Sequence, residues 1–303
     1  MEAEKTISIE DGKKIAYRVV GVGSKPIIVF LSGSVFNYKQ FDPVFLQEIK
    51  KLLPDYSFLF YNYIGIGNSS PLAGDFDFIK IAKQHIALLD ALGIESAHHF
   101  GYSKGAVIGL LAAVFGPKRI KSLATYGTPN LAEGNNEITK SQYSKRIQHL
   151  RSITGIWEKQ VDDNTYKLLY DTFYVPVIFN QDVNHLSFKN KIKSRNIRKA
   201  LKPMLMGTLI HNIVKLFEYY QREITEEEKQ NYMEKMKQID LPVLLMHGVL
   251  DSLIPLDTAK ALGKMIQNSK FIEFEELGHT SPLLDGGEGK KIMQNYAKFI
   301  HEL

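Results

Sequence analysis

Apolar and polar positions along this chain repeat with two different periods, and the switches between them predict its layout. Residues 5–22 alternate apolar with polar side chains on either side of Asp11-Gly12. That pattern predicts a hairpin joining Ile7-Ser8-Ile9 to Lys14-Ile15-Ala16-Tyr17-Arg18. Pro26-Ile27-Ile28-Val29-Phe30-Leu31 is uninterrupted apolar, as a strand covered on both faces should be, and it stops at Ser32-Gly33-Ser34. Helical spacing follows over 41–53, then a buried strand at Ser57-Phe58-Leu59-Phe60-Tyr61 and a glycine-rich loop over 65–69. An amphipathic helix is predicted over 78–92, with Gly93 as its cap. Residues 96–100 and 120–126 read as further strands on either side of a buried helix over 105–115.

The rhythm breaks at Gly127. Between 131 and 239 no run has strand quality, only helix-like segments rich in Tyr, Lys and Glu. It resumes with a strand over 241–246, a helix over 256–266, a strand over 270–274 and a closing helix over 289–303. Alternation of this kind predicts an α/β fold, a mostly parallel sheet with helices on both faces and right-handed crossovers. Residues 1–130 and 240–303 form the expected core, and 131–239 a helical insertion.

Composition changes this picture little. The 303 residues are 44% hydrophobic and 23% charged, ordinary globular material. There are no cysteines, which removes disulfides, thiolate nucleophiles and zinc ribbons. Met1-Glu2-Ala3-Glu4-Lys5 lacks the features of a signal peptide, and no apolar run approaches the ~20 residues that span a bilayer. A cytoplasmic protein is the expectation. The net charge of +5 matters mainly through one run, Lys189, Lys191, Lys193, Arg195, Arg198, Lys199 and Lys202, which no acidic residue interrupts.

The candidate chemistry centres on Gly101-Tyr102-Ser103-Lys104-Gly105, a Gly-x-Ser-x-Gly pattern between a strand and a helix. Such a pattern fits a nucleophile elbow, a strained turn that lifts the serine clear of the sheet. Tightness of the turn is expected to bring Gly101 and Gly105 almost into contact, so that only glycine fits at either place. The helix N-terminus directs free amides at any charge developing beside Ser103. Strand 241–246 runs into His247-Gly248-Val249-Leu250-Asp251, and the last strand runs into Gly278-His279. An acid and a histidine thus stand at the carboxyl ends of parallel strands, where open α/β sheets place their ligands.

These pieces, in the chain order Ser103, Asp251, His279 and with Ile254-Pro255 following, resemble the α/β-hydrolase fold family over about residues 5–130 and 240–303. The resemblance implies Ser103 as nucleophile, His279 as general base and Asp251 as the acid that orients it. A serine hydroxyl needs such a base near neutral pH, and the oxyanion that forms needs two donors already in place. By resemblance these are the backbone amides of Lys104 and Ser34. The sequence departs from the family twice. Ser32 stands where a histidine is usual, and Asn62-Tyr63-Ile64-Gly65-Ile66-Gly67-Asn68-Ser69 replaces the common Asp-x-Arg-Gly-x-Gly-x-Ser. The resemblance also implies that the insertion is a cap over the active site, with its apolar middle, 156–179, divided between lining a pocket and packing the cap itself.

Several residues invite bland readings. Lys104 is expected to turn sideways against the cap in preference to meeting an anionic substrate. His98 and His99 point to opposite faces of one strand and cannot chelate one metal, so no metal and no cofactor is expected. His247 reads as loop packing, and Gly65-Ile66-Gly67 is too short for a dinucleotide fingerprint. The leading expectation is a serine hydrolase cleaving an ester or thioester of a small acyl substrate. A carbon–carbon bond hydrolase with the same triad and a ligand-binding or signalling protein with little turnover are the alternatives. Haloalkane dehalogenase and epoxide hydrolase chemistry is disfavoured, because both need a carboxylate where Ser103 stands. An acidic acyl carrier docking at Lys189, Lys191, Lys193 and Arg195 is the expected partner, and nucleic acid is not.

Overall fold

The computed structural model describes residues 3–33, 36–42, 44–133, 144, 147–148, 151–152, 155, 159–171, 187–284 and 286–303. Eight strands form one sheet in the order β1-β2-β4-β3-β5-β6-β7-β8. They are β1 (Lys5–Ser8), β2 (Lys14–Val20), β3 (Ile28–Leu31), β4 (Phe58–Tyr61), β5 (Ala97–Tyr102), β6 (Ile120–Tyr126), β7 (Val243–Gly248) and β8 (Ser269–Phe274). β1 and β2 pair antiparallel through a hairpin in which Gly12 takes φ 75°, and β2 pairs antiparallel with β4. The other neighbours are parallel. The fold is the expected α/β class.

Alternation along β5 shows how both faces are covered. Phe100 meets Phe45 of the helix Phe45–Leu52 at 5.8 Å and Tyr296 of the helix Gly286–His301 at 5.4 Å between ring centroids. Its neighbour His99 faces the other way, onto His85 of the helix Phe78–Ala91. That helix packs against Lys104–Phe115, whose residues from Lys104 to Ala113 are all buried. Phe30, fully buried on β3, gathers Phe41, Phe58, Phe60 and Phe100 at 4.9–6.3 Å. The apolar runs are strands because no face of them is left to water.

One helix begins later than its spacing predicts. Residues 38–41 form a 3₁₀ turn, because the Asn37 side chain accepts from the Lys39 amide and caps it, and the α-helix starts at Phe45. In the inserted region the described helices are Asp163–Leu169, Phe188–Leu205, Ile210–Gln221 and Glu226–Lys237. The last packs on the helices Lys104–Phe115 and Leu256–Met265. Phe188–Leu205 and Ile210–Gln221 reach the sheet through its loops. Asn37 donates from N to the Met204 carbonyl at 2.8 Å and from Nδ2 to the Pro203 carbonyl at 2.9 Å, while Asn212 donates to the Gly65 carbonyl at 2.7 Å. The aromatic stretches 156–158 and 172–179 lie outside the described residues, but Tyr166, Leu169 and Tyr170 are buried within the insertion. No helix among the described residues is long and apolar enough to cross a membrane.

Candidate active site

Ser103 follows the last residue of β5 and takes φ 51° and ψ −116°, alone among described non-glycine residues in having a positive φ. The strain is held by hydrogen bonds: its amide donates to the Tyr126 carbonyl of β6 at 2.9 Å, and its carbonyl accepts from the Ala106 amide at 2.9 Å. The elbow glycines are required, and the first meets the second as expected: a Cβ on Gly101 would stand 2.8 Å from the Gly105 carbonyl oxygen. It would also stand 2.6 Å from Ala106 Cα, and one on Gly105 would stand 2.0 Å from the Leu31 carbonyl oxygen. The second constraint comes from the neighbouring strand β3, which the helix crosses at backbone contact. Motif spacing alone gives no sign of it.

Asp251 and His279 converge on Ser103. His279 Nδ1 lies 2.7 Å from Asp251 Oδ2, and His279 Nε2 lies 3.0 Å from Ser103 Oγ. Since a carboxylate only accepts, Nδ1 carries the proton and Nε2 is free to accept from the serine hydroxyl. Asp251 Oδ1 accepts from the amides of Leu253 and Ile254, each at 2.9 Å. Burial opposes ionisation of this carboxyl, yet His279, His247 and the Ile254 amide outweigh it and hold its pKa below the usual value. The Asp251 side chain has no exposed surface.

The loops carrying the two residues are tied together. Leu250 donates from its amide to the Leu277 carbonyl at 2.9 Å. Tyr126 Oη donates to the Gly278 carbonyl at 2.8 Å, and Tyr102 Oη donates to the His279 carbonyl. These tyrosines end β6 and β5, so the strand ends fix the histidine loop from below. Gly127, just beyond β6, has φ 61°, and a Cβ there would stand 3.0 Å from both Cε1 and Nδ1 of His279. Sequence reading passes over Gly127, Tyr102 and Tyr126. The available signal is a glycine directly after a parallel strand, and only the third dimension shows what it touches.

The Lys104 amide sits at the first position of its helix, where no intrahelical acceptor exists. Ser34 lies outside the described residues. Described residues near it are bonded to each other: Ser32 Oγ donates to the Phe36 carbonyl at 3.0 Å, and the Gly33 amide donates to Gln40 Oε1 at 2.7 Å. Ser32 thus anchors the loop by a bond of its own where the family has histidine.

The remaining histidines are accounted for by packing. His98 Nδ1 pairs with Ser122 Oγ at 2.8 Å. His99 Nε2 meets His85 Nε2 at 2.9 Å, and Tyr61 Oη meets His85 Nδ1 at 3.0 Å, a polar chain inside the core. His247 Nε2 donates to the Ile254 carbonyl at 3.0 Å and so braces the Asp251 loop, and burial lowers its pKa. Lys104 turns sideways, but over rings of the core and not against the cap: its Nζ is 4.2 Å from the centroid of the Tyr63 ring. In the basic run the side chains of Lys189, Lys191 and Lys193 lie outside the described residues, Arg195 and Lys199 are exposed, and Lys202 pairs with Asp163 at 2.9 Å.

A family model described as the alpha/beta hydrolase fold matches residues 26–285. Lipase 1 of Psychrobacter immobilis is 21% identical over 298 residues, covering 97% of this chain and 83% of that protein. The enol-lactonase of Burkholderia xenovorans LB400 superposes with a TM-score of 0.74 at 16% identity, covering 98% of this chain and 100% of that one. A meta-cleavage product hydrolase of Pseudomonas fluorescens IP01 superposes with a TM-score of 0.62 at 18% identity, over 98% and 97% of the two chains.

Proposed function

The chain belongs to the α/β-hydrolase fold family, and from that premise we propose that it is a serine hydrolase that cleaves an ester or thioester through an acyl-enzyme. One observation carries the reading: Ser103 Oγ, His279 Nε2, His279 Nδ1 and Asp251 Oδ2 form an unbroken chain with contacts of 3.0 and 2.7 Å. In the reaction, Ser103 Oγ attacks the carbonyl carbon while His279 takes its proton. The Lys104 amide and the Ser34 amide receive the oxyanion, and Asp251 stabilises the imidazolium. His279 then returns the proton to the departing alcohol or thiol. Water, activated by the same histidine, releases the acid.

The test is covalent. A fluorophosphonate probe should label the wild-type protein at Ser103, located by peptide mass spectrometry, and should leave Ser103→Ala unlabelled. Labelling that persists in the variant would refute the assignment.

Carbon–carbon bond hydrolysis is a second reading, favoured by the likeness to a meta-cleavage product hydrolase, and it would use the same three residues. An acidic acyl carrier is the partner proposed for the basic helix Phe188–Leu205. Its support is the exposed Arg195 and Lys199, together with the bonds from Asn37 that tie the end of this helix, at Pro203 and Met204, to the loop after β3.

A further inference from the structure

Lys104 is the residue directly after the proposed nucleophile, and it is 1% exposed. Its ammonium lies over the faces of two aromatic rings, 4.2 Å from the Tyr63 centroid and 5.9 Å from that of Phe76. Among the described residues no carboxylate reaches within 4.0 Å of it, although eleven other lysines and arginines there have such a partner. What the loop after β4 presents to the ammonium is the aromatic face of Tyr63.

Burying an unpaired ammonium is costly, and aromatic faces return only part of that cost. A residue whose sole task was to fill this space would be served better by Met or Leu. Burial is the one influence on the Lys104 proton and brings its pKa down to about 7. An incoming carboxylate would supply the missing charge partner and hold the proton in place. The position also suits a ligand, since the side chain springs from the residue next to Ser103 and ends over the rings of Tyr63 and Phe76.

We propose that the Lys104 ammonium recognises a carboxylate carried by the substrate, a few bonds from the scissile carbonyl, and so makes the pocket selective for anionic esters. The proposal rests on the hydrolase reading of Ser103 for its placement, and it deepens that reading by naming a substrate class.

Two measurements separate the claims. The first needs no turnover: calorimetric binding of pentanoate and of pentanamide to the wild type and to Lys104→Met. The wild type should prefer the carboxylate, and the variant should bind it about 10- to 100-fold more weakly, the range expected for losing a charge-assisted hydrogen bond. Lys104→Gln serves if the Met variant does not fold. The second compares kcat/KM for mono-p-nitrophenyl glutarate with that for p-nitrophenyl pentanoate. The ratio should fall by a similar factor in Lys104→Met, while its melting temperature holds or rises.

Equal pentanoate affinity in both proteins, or none in the wild type, would overturn the proposal. So would a variant with an unchanged glutarate-to-pentanoate ratio and a lower melting temperature, which would make Lys104 a packing residue. Turnover of both esters without preference leaves the hydrolase reading standing and removes the carboxylate site. Selective binding without turnover of either does the reverse.

Discussion

Gly127→Ala is the perturbation that most sharply separates geometry from composition at this site. Two costs arise. The residue holds φ 61°, and a side chain in that left-handed region costs roughly 1–2 kcal/mol. The new Cβ would also stand 3.0 Å from two atoms of the His279 ring and 3.6 Å from Asp251 Oδ2, so the imidazole must yield by a few tenths of an ångström. It has little freedom to do so, since contacts of 2.7 and 3.0 Å hold its two nitrogens. A misplacement of about 1 Å at a reacting centre can cost on the order of 10²-fold, so a few tenths should cost about 10-fold in kcat. Gly12→Ala is the matched control: φ is 75° and nothing lies within 4 Å of its Cβ. Both variants should lose a similar 1–2 kcal/mol in urea unfolding, but only Gly127→Ala should lose p-nitrophenyl ester turnover. Equal activity in the two would mean that the His279 position does not govern the rate.

Buried histidines should make the fold sensitive to mild acid. Burial lowers the pKa of His85 to about 3, of His98 to about 4, and of His99 and His247 below the usual value. Below about pH 6.5 the unfolded chain takes up protons that these rings refuse, so stability present above that pH is lost as pH falls towards the folded values. His85 alone should remove about 2 kcal/mol by pH 5; a urea midpoint unchanged between pH 7 and pH 5 would contradict this. For the basic helix, kcat/KM on acyl-carrier or acyl-CoA thioesters should fall as salt shortens the Debye length from ~10 Å, and Lys191→Ala/Lys193→Ala/Arg195→Ala should remove most of that dependence. Equal salt profiles for a charged and a neutral substrate would return the helix to an ordinary solvated face.

Much of this architecture can be read from the chain because its strands are buried on both faces. Phe30 and Phe100 sit in runs that only a covered sheet accommodates, and the switch of period marks each crossover. The placing of Ser103 and Asp251 at strand ends is legible for the same reason, since each follows closely on an apolar run. His279, by contrast, comes after the mixed strand Ser269–Phe274. What escapes is whatever acts through space. Gly105 is glycine because of β3, not because of Gly101. Gly127 matters through a histidine more than 150 positions away. Lys104 is expected to lie sideways against the cap, but its place over Tyr63 and Phe76, with no carboxylate within 4.0 Å among the described residues, is something no local pattern encodes. The 3₁₀ turn before Phe45 escapes because a single side chain, Asn37, redirects a spacing that is otherwise helical.

The central claim is that Ser103, His279 and Asp251 act as one unit, and a kinetic cycle on two of them tests it most directly. Ester kcat is to be measured for the wild type, Ser103→Ala, Asp251→Asn and the double variant. Ser103→Ala should lose about 10³-fold or more. Asp251→Asn should lose on the order of 10⁴-fold by favouring the wrong histidine tautomer, as in serine proteases, while its Oδ1 still accepts from the Leu253 and Ile254 amides. The double variant should then be no slower than the worse single one. Losses that multiply in the double variant, or near-normal turnover in either single one, would contradict the account.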